Sequence, residues 1–346
     1  MTEDKNMRNM PPVSVIILNW NGEKLLREFL PAVISNTNPK IGRIVVADNG
    51  STDHSLELLA NDFQEVEVMR FDDNHGFAGG YNMAINHTAT PYTVMLNSDV
   101  APDAGWLDTL YDFMEKHPEV GACQPKILSY KNPEMFEYAG ACGGFIDKHG
   151  YTYCRGRIFD TCEADSGQYD TPMSVFWATG AALMVRTEIY KQTGGLDESF
   201  FAHMEEIDLC WRILLDGYGI MAVPQASVRH LGGGSLPASN PRKTYLNFRN
   251  NLLMLHKNLP DGTRTRKLLI RRLLDTVAFA KFALTLDFRN AYALWRAHRD
   301  FSKMRGRYTT HPDIDLLDKR TDTHTDILIS YYLLRRKTFG ALASTI

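Results

Sequence analysis

Apolar runs alternate with amphipathic stretches from Val13 to Leu96. Val13-Ser-Val-Ile-Ile-Leu18 is rich in β-branched residues, the pattern of a strand buried on both faces. The turn Asn19-Trp20-Asn21-Gly22 ends it. Glu23 to Ser35 then carries Leu26, Phe29, Leu30 and Val33 at helical spacing, which predicts one buried helix face. Ile44–Ala47 and Val66–Met69 repeat the strand pattern, with a helix predicted over Ser55 to Phe63 between them. The loop from Asp72 to Gly80 opens a helix through His87. Tyr92–Leu96 is a fourth strand, and the turn Asn97-Ser98-Asp99 follows it. Strands alternating with helices predict a mostly parallel central sheet in a three-layer, Rossmann-like α/β fold.

Beyond Asp99 the pattern changes. Trp106 to Lys116 predicts a helix, whereas Gly121 to Pro172 is rich in glycine and aromatics and reads as short strands and loops. Ser174–Trp177 and Thr179–Val185 are strand-like, Glu206 to Asp216 is helical, and Gly219–Val223 is again a strand. From Asn240 onward the spacing is helical throughout. The chain divides on this basis into an α/β domain over residues 12–240 and a C-terminal helical region over 241–346.

Charge sharpens that division. The 346 residues carry a net charge of −3, yet Asp261 to Arg307 holds twelve Lys and Arg against four Asp and Glu. A basic segment behind an acidic body suggests a negative partner surface. The five cysteines include no Cys-x-x-Cys pair, so zinc is not expected and reduced thiols are. The first twelve residues lack a signal-type apolar core, and no run reaches the roughly 18 apolar residues of a membrane span. A cytoplasmic location is the resulting expectation.

In open α/β sheets, ligands bind outside the carboxyl ends of the strands. Asp48, in Asp48-Asn-Gly-Ser-Thr-Asp53, can accept from a ring N–H of uracil or thymine, although the same residues suit a helix N-cap. Asn74-His-Gly-Phe-Ala-Gly-Gly-Tyr-Asn82 places glycines before a helix, where a backbone can approach an anion. A dinucleotide fingerprint would follow the first strand, which ends instead in Asn-Trp-Asn-Gly, and no Walker loop is present. Asp99 is placed to hold a hard cation on a diphosphate, or is an ordinary acidic turn. Glu205, Glu206 and Asp208 open a helix beside Phe200, Phe201 and Trp211. The helix dipole accounts for acidic residues there, and so does a general base in a part-apolar cleft. His230, before Gly232-Gly-Gly234, reads as a structural histidine or a metal ligand.

Together these motifs, with Thr179-Gly-Ala-Ala-Leu-Met184 and Glu205-Glu-Ile-Asp-Leu-Cys-Trp-Arg212, resemble glycosyltransferase family 2 in their order, and its rhamnosyltransferase-like bacterial members most. The resemblance covers roughly residues 12–255. It implies a GT-A fold and an inverting, hexosyl-type transfer from a UDP- or dTDP-sugar to a glycan or lipid-linked saccharide, with Mg²⁺ or Mn²⁺ as cofactor. By position, Asn19 and Asp48 would line the nucleoside pocket, and Asn74, Gly80 and Asn82 would face the nucleotide and its diphosphate. Asp99, beside Asn97, would bind the metal, with His230 next to it. Glu206 would be the base, Thr179, Gly180 and Ala181 would floor the sugar–acceptor pocket, and Arg249 would pair with the diphosphate.

Two positions depart from the family pattern. Its Asp-x-Asp begins here with Asn97, so Asp99 alone carries the charge. Its Glu-Asp pair is Glu205-Glu206, which leaves either glutamate as base. The alternative function is a non-catalytic nucleotide-sugar or glycan-binding module on the same fold. A nucleotidylyltransferase would need a Gly-rich loop with Arg and Lys after the first strand, which Asn19-Trp-Asn-Gly22 lacks. The basic tail fits a cationic helix lying on anionic lipid, at the inner face of the cytoplasmic membrane. Its competing reading is a helical appendage packed on the body or on another subunit. Aromatic and basic residues do not interleave as in nucleic-acid-binding modules, so nucleic acid is not an expected partner.

Overall fold

Four parallel strands form one side of the main sheet, three of them largely buried and the fourth a mostly exposed edge. The computed structural model describes residues 10–137, 140–232 and 240–343. β1 (Val13–Asn19), β2 (Gly42–Asn49), β3 (Glu67–Phe71) and β4 (Tyr92–Leu96) lie in the order β3-β2-β1-β4. β5 (Val100–Pro102) and β6 (Val120–Ser129) come next in the chain. β7 (Gly144–Ile146), β8 (Thr152–Cys154), β9 (Arg157–Ile158) and β10 (Thr161–Cys162) form a separate antiparallel sheet. β11 (Met173–Ser174), β12 (Ala182–Arg186) and β13 (Gly219–His230) return to the main sheet. β12 runs antiparallel between β4 and β6, and β13 lies parallel to β6.

The strand alternation builds two cores. Val13, Val15 and Ile17 of β1 point to the face covered by α1 (Glu23–Asn36), α2 (Ser55–Asp62) and α4 (Trp106–Lys116). Ile16 points to the other, where α3 (Gly76–Asn86), α6 (Glu205–Leu215) and α7 (Pro241–Asn258) contribute. The spacing predicted for α1 is the one found: Leu26, Phe29, Leu30 and Val33 are its buried residues. α5 (Thr187–Gln192) is a short helix after β12.

Two elements differ from the sequence-based expectation. The stretch from Gly121, read as short strands and loops, begins with the ten-residue strand β6, fully buried through its first eight positions. Pro125 hides it, because proline removes a ladder donor and ordinarily argues against a central strand. The sheet accommodates it with a register shift between Val223 and Ser227 of β13, opposite Pro125 and Lys126. That irregularity also lets β13 run on to His230, beyond the expected end at Val223. Phe176 and Trp177 fall outside the strands, although Trp177 bridges to Gly144.

The C-terminal helices are fastened to this body by buried charge. α8 (Asp261–Leu284) and α9 (Phe288–Met304) form a hairpin packed on α7. Arg271 of α8 bonds Asp275 Oδ1 at 2.9 Å and the Gly150 carbonyl at 3.1 Å, and lies over the Tyr151 ring. Asp275 is completely buried and also meets His298 Nε2 at 3.1 Å. Burial opposes its ionised form, but the neighbouring Arg271 and His298 still hold its pKa below the usual carboxylate value. Removing one partner of a buried pair leaves an uncompensated charge, so Asp275→Ala is expected to lower unfolding stability by about 3–5 kcal/mol. Urea denaturation measures this, and a loss within error of zero would disprove the role.

Candidate active site

β1, β2 and β4 all deliver polar residues to the carboxyl edge of the sheet. The parallel register sets Asn19 beside Asp48. Asn19 Nδ2 donates to Asp48 Oδ2 at 3.0 Å and to Ser51 Oγ at 3.1 Å, while Ser51 N donates to Asp48 Oδ1. Both Asn19 and Asp48 are buried, and Asn19 Oδ1 has no donor in the protein. A buried acceptor left unpaired is costly and points to a missing partner. Trp20, half-exposed, stands next to this pair.

The glycine segment contributes less than its sequence suggests. Gly76 has φ +73°, and a Cβ there would meet the Phe201 ring at 2.9 Å, so only glycine fits. Gly80 is buried against Leu18, at 2.6 Å from where a Cβ would stand, and serves packing of α3 on β1. Asn82 donates to the Leu196 carbonyl and Glu198 Oε1 and accepts from Tyr190 OH and Leu196 N. A side-chain amide has two donors and two acceptor sites, so Asn82 has none left for a nucleotide. Asn74 is exposed, and its Oδ1 accepts from Asn49 Nδ2 and Gly76 N.

Asp99 meets His230 across the edge. β5 pairs antiparallel with the end of β13, which sets Val100 opposite His230. His230 Nε2 lies 3.1 Å from Asp99 Oδ1, and its Nδ1 lies 3.2 Å from Glu137 Oε2. All three side chains are buried. Burial disfavours the imidazolium, but the two flanking carboxylates hold the His230 pKa up at about 10. Glu137 is a residue that sequence reasoning missed, since nothing in Met135-Phe-Glu137 marks it. The glycines after Gly232 lie outside the described residues.

The donor chemistry here fits a hard divalent ion. One Asp99 oxygen faces His230 and the carboxylate has a second, while the half-buried Asn97 adds an amide oxygen. Oxygen donors with one imidazole suit Mg²⁺ or Mn²⁺ better than thiolate metals. Among the described residues no three His, Cys, Asp or Glu side chains form a metal cage by themselves. Mg²⁺ commonly uses one or two carboxylates plus substrate phosphates, so a full cage is not required. His230 would have to give up its proton to act as a ligand.

The second acidic cluster sits on a strained turn. Phe201, His203 and Met204 all have positive φ, at 65°, 69° and 73°, immediately before α6. Such residues persist only where surroundings hold them. Asn250 Nδ2 donates to the carbonyls of Phe200, Ala202 and His203, and Arg249 Nη2 to those of Ser199 and Phe200. Arg249, expected at the diphosphate, has its guanidinium committed to this turn, to Asn250 and to Tyr245. Phe77 N donates to the Phe201 carbonyl, which joins the glycine segment to the turn.

Glu205 is buried and Glu206 partly open, and each has one carboxylate oxygen without a donor. Burial raises both pKa values, that of Glu206 to about 7, and the charge of Glu206 raises Glu205 further. Gly180 lies alongside Phe77 and Glu206: a methyl added there would stand 3.3 Å from the Phe77 ring and 3.7 Å from Glu206 Cβ. Ala181 O accepts from Asn97 N at 3.0 Å, and Thr179 N donates to Gln124 Oε1. Thr179-Gly180-Ala181 therefore bridges the Asp99 turn and the Glu206 helix. A carboxyl whose folded pKa is raised stabilises the fold at low pH and loses that contribution as pH rises through the folded value. Glu205→Gln is thus expected to melt like the wild type near about pH 5 and above it near about pH 8. Equal melting temperatures at both pH values would refute the buried ionisation.

Comparison with known proteins bears on the family and the fold. Residues 14–142 match the sequence model of glycosyl transferase family 2. An N-acetylglucosaminyl-diphospho-decaprenol L-rhamnosyltransferase of Mycobacterium tuberculosis is 26% identical over 234 residues, covering 62% of this chain and 75% of the relative. The low-salt glycan biosynthesis hexosyltransferase Agl10 of Haloferax volcanii is 23% identical over 250 residues, 70% of this chain and 74% of the relative. The fold is similar to that of S. aureus TarS in complex with UDP-GlcNAc (TM-score 0.56, 15% identity, 84% of this chain and 80% of that one). It is also similar to GalNAc-T7 with UDP, GalNAc and Mn²⁺ (TM-score 0.58, 17% identity, 73% of this chain), of which the chain spans 49%. The α/β arrangement is accordingly the GT-A fold, followed by C-terminal helices.

Proposed function

We propose that the chain, a rhamnosyltransferase-like member of glycosyltransferase family 2, is an inverting transferase acting in surface polysaccharide synthesis. The donor is a UDP- or dTDP-sugar, and the acceptor is a hydroxyl of a glycan or lipid-linked saccharide. The observation that carries this reading is Glu206, a partly buried residue whose carboxyl has a pKa near about 7, joined through Gly180 and Ala181 to the Asp99 turn.

Each part has a task. Asp48 and the unpaired Asn19 Oδ1 accept from the pyrimidine or its ribose, and Trp20 flanks them. Asp99, with Asn97 and a deprotonated His230, would hold Mg²⁺ or Mn²⁺, which offsets the charge that develops on the departing diphosphate. Glu206 removes the proton of the acceptor hydroxyl as its oxygen attacks the anomeric carbon from the face opposite the diphosphate. The bond from that carbon to the diphosphate breaks, and its electron pair leaves with the diphosphate oxygen. Glu205, shut away from solvent, is held in its neutral form by burial and by the charge of Glu206.

Glu206→Gln is expected to lose about 10²–10⁴-fold in turnover while retaining donor affinity. A wild-type rate in that variant would reassign the base. The wild-type rate should fall as pH drops through about 7, because Glu206 is then protonated; a rate flat to about pH 5 would contradict it. Asp99→Ala should abolish the Mn²⁺-dependent part of nucleoside diphosphate binding in calorimetry, and an unchanged affinity would remove the metal from this turn.

A further inference from the structure

The C-terminal hairpin leaves an apolar surface uncovered. α8 ends at Leu284 and α9 starts at Phe288, so residues 285–287 form its tip. Leu273, Val277 and Leu284 follow one another along α8 at 59%, 68% and 84% exposure. Leu286 in the turn and Phe288 beyond it are 74% and 63% exposed. Tyr292 and Trp295 are exposed on α9 and stack on each other with ring centroids 5.7 Å apart. Exposed bulky apolar side chains gathered on one hairpin mark an interaction site.

Its charge selects the partner. The exposed ionisable side chains from residue 272 to 299 are Arg272, Lys281, Arg289, Arg296 and Arg299, all cationic. Of the acidic residues in that span, Asp275 is buried with Arg271, and Asp287 caps α9 by accepting from Asn290 N and Nδ2. Bulky apolar side chains at the tip, aromatics behind them and cations around them are the features of a segment that lies in a lipid interface. No helix among the described residues is long and apolar enough to cross a membrane.

The placement of the tip gives the surface a purpose. Thr244 Oγ1 bonds Asn290 Oδ1 at 2.6 Å, which fixes the tip beside the start of α7. Two residues earlier, Arg242 stacks over the Phe201 ring at 5.1 Å, on the strained turn before Glu206. Tip and turn therefore share one end of the molecule. We propose that the α8–α9 tip docks on an anionic bilayer and holds the mouth of the site toward a membrane-borne acceptor. The docking stands on the hairpin alone, and only the acceptor rests on the transferase reading.

Flotation of the full chain tests it, with vesicles of phosphatidylglycerol and phosphatidylcholine against phosphatidylcholine alone. The wild type is expected to float with the anionic vesicles only. Leu284→Glu/Phe288→Glu and Lys281→Glu/Arg289→Glu should each lower the bound fraction at least about tenfold, since each cation contributes about fivefold to partitioning. Their melting temperatures and nucleoside diphosphate binding should be unchanged. A wild type that stays at the bottom with anionic vesicles overturns the proposal, as does a Leu284→Glu/Phe288→Glu variant that floats normally. A dimer in light scattering that this variant dissolves, without vesicle binding, assigns the face to a second copy and also overturns it. Vesicle binding without turnover of any nucleotide sugar would leave the docking intact and sink the transferase reading.

Discussion

One side-chain amide fixes where α6 begins. Asn250 Nδ2 reaches the carbonyls of Phe200, Ala202 and His203, and Arg249 covers those of Ser199 and Phe200. Backbone in such sparsely populated conformations costs on the order of 1–3 kcal/mol per residue. The turn stays in place because α7 supplies donors that a relaxed loop would lose. α7 is thereby part of the site, although it belongs by sequence to the helical region behind it. In the same turn the Phe201 carbonyl accepts from Phe77 N and the Phe201 ring packs against Gly76, so the start of α3 and the start of α6 are set together.

Burial then gives the two glutamates different characters. They are neighbours in sequence, yet α6 turns Glu205 inward and leaves Glu206 part-open. A second ionised carboxyl in that space is disfavoured by the first as well as by desolvation. At the opposite side of the bridge formed by Thr179, Gly180 and Ala181, the order is reversed. There a cation, His230, sits between two carboxylates and the negative charge is compensated within the protein. One end of the bridge is a place where a proton can be taken up, and the other is a place where anionic charge is tolerated.

Much of this was readable from residue patterns, and the failures have specific causes. The strand–helix alternation and the buried face of α1 follow from periodicity, and the first four strands end where the polar turns begin. Pro125 concealed β6, because a bulge in the neighbouring strand offsets what proline removes. Asn82 and Arg249 occupy motif positions but spend their side-chain hydrogen bonds within the protein, a fact that spacing cannot reveal. Gly80 is a contact of α3 with Leu18, and a glycine kept for packing looks in sequence like one kept for a ligand. Glu137 gave no signal, since its meaning comes only from His230, nearly a hundred positions away in the chain. The positive φ values of Phe201, His203 and Met204 were equally silent, as none of these residues favours that conformation.

β12 lies between β4 and β6, and it pairs directly with the strand that precedes the long excursion from Tyr130 to Ala181. The excursion leaves and re-enters the sheet on adjacent strands, so its ends are held together whatever lies between them. Lengthening its middle would cost little closure entropy, whereas its ends carry Glu137 and Thr179–Ala181 and belong to the site. The middle is built as an exchangeable insert, with one condition. Ile327 N donates to Asp147 and Phe339 N to Glu163, so the last part of the chain is sewn onto the insert rather than onto the sheet. Insert and tail are coupled parts, and diversification of one carries the other with it.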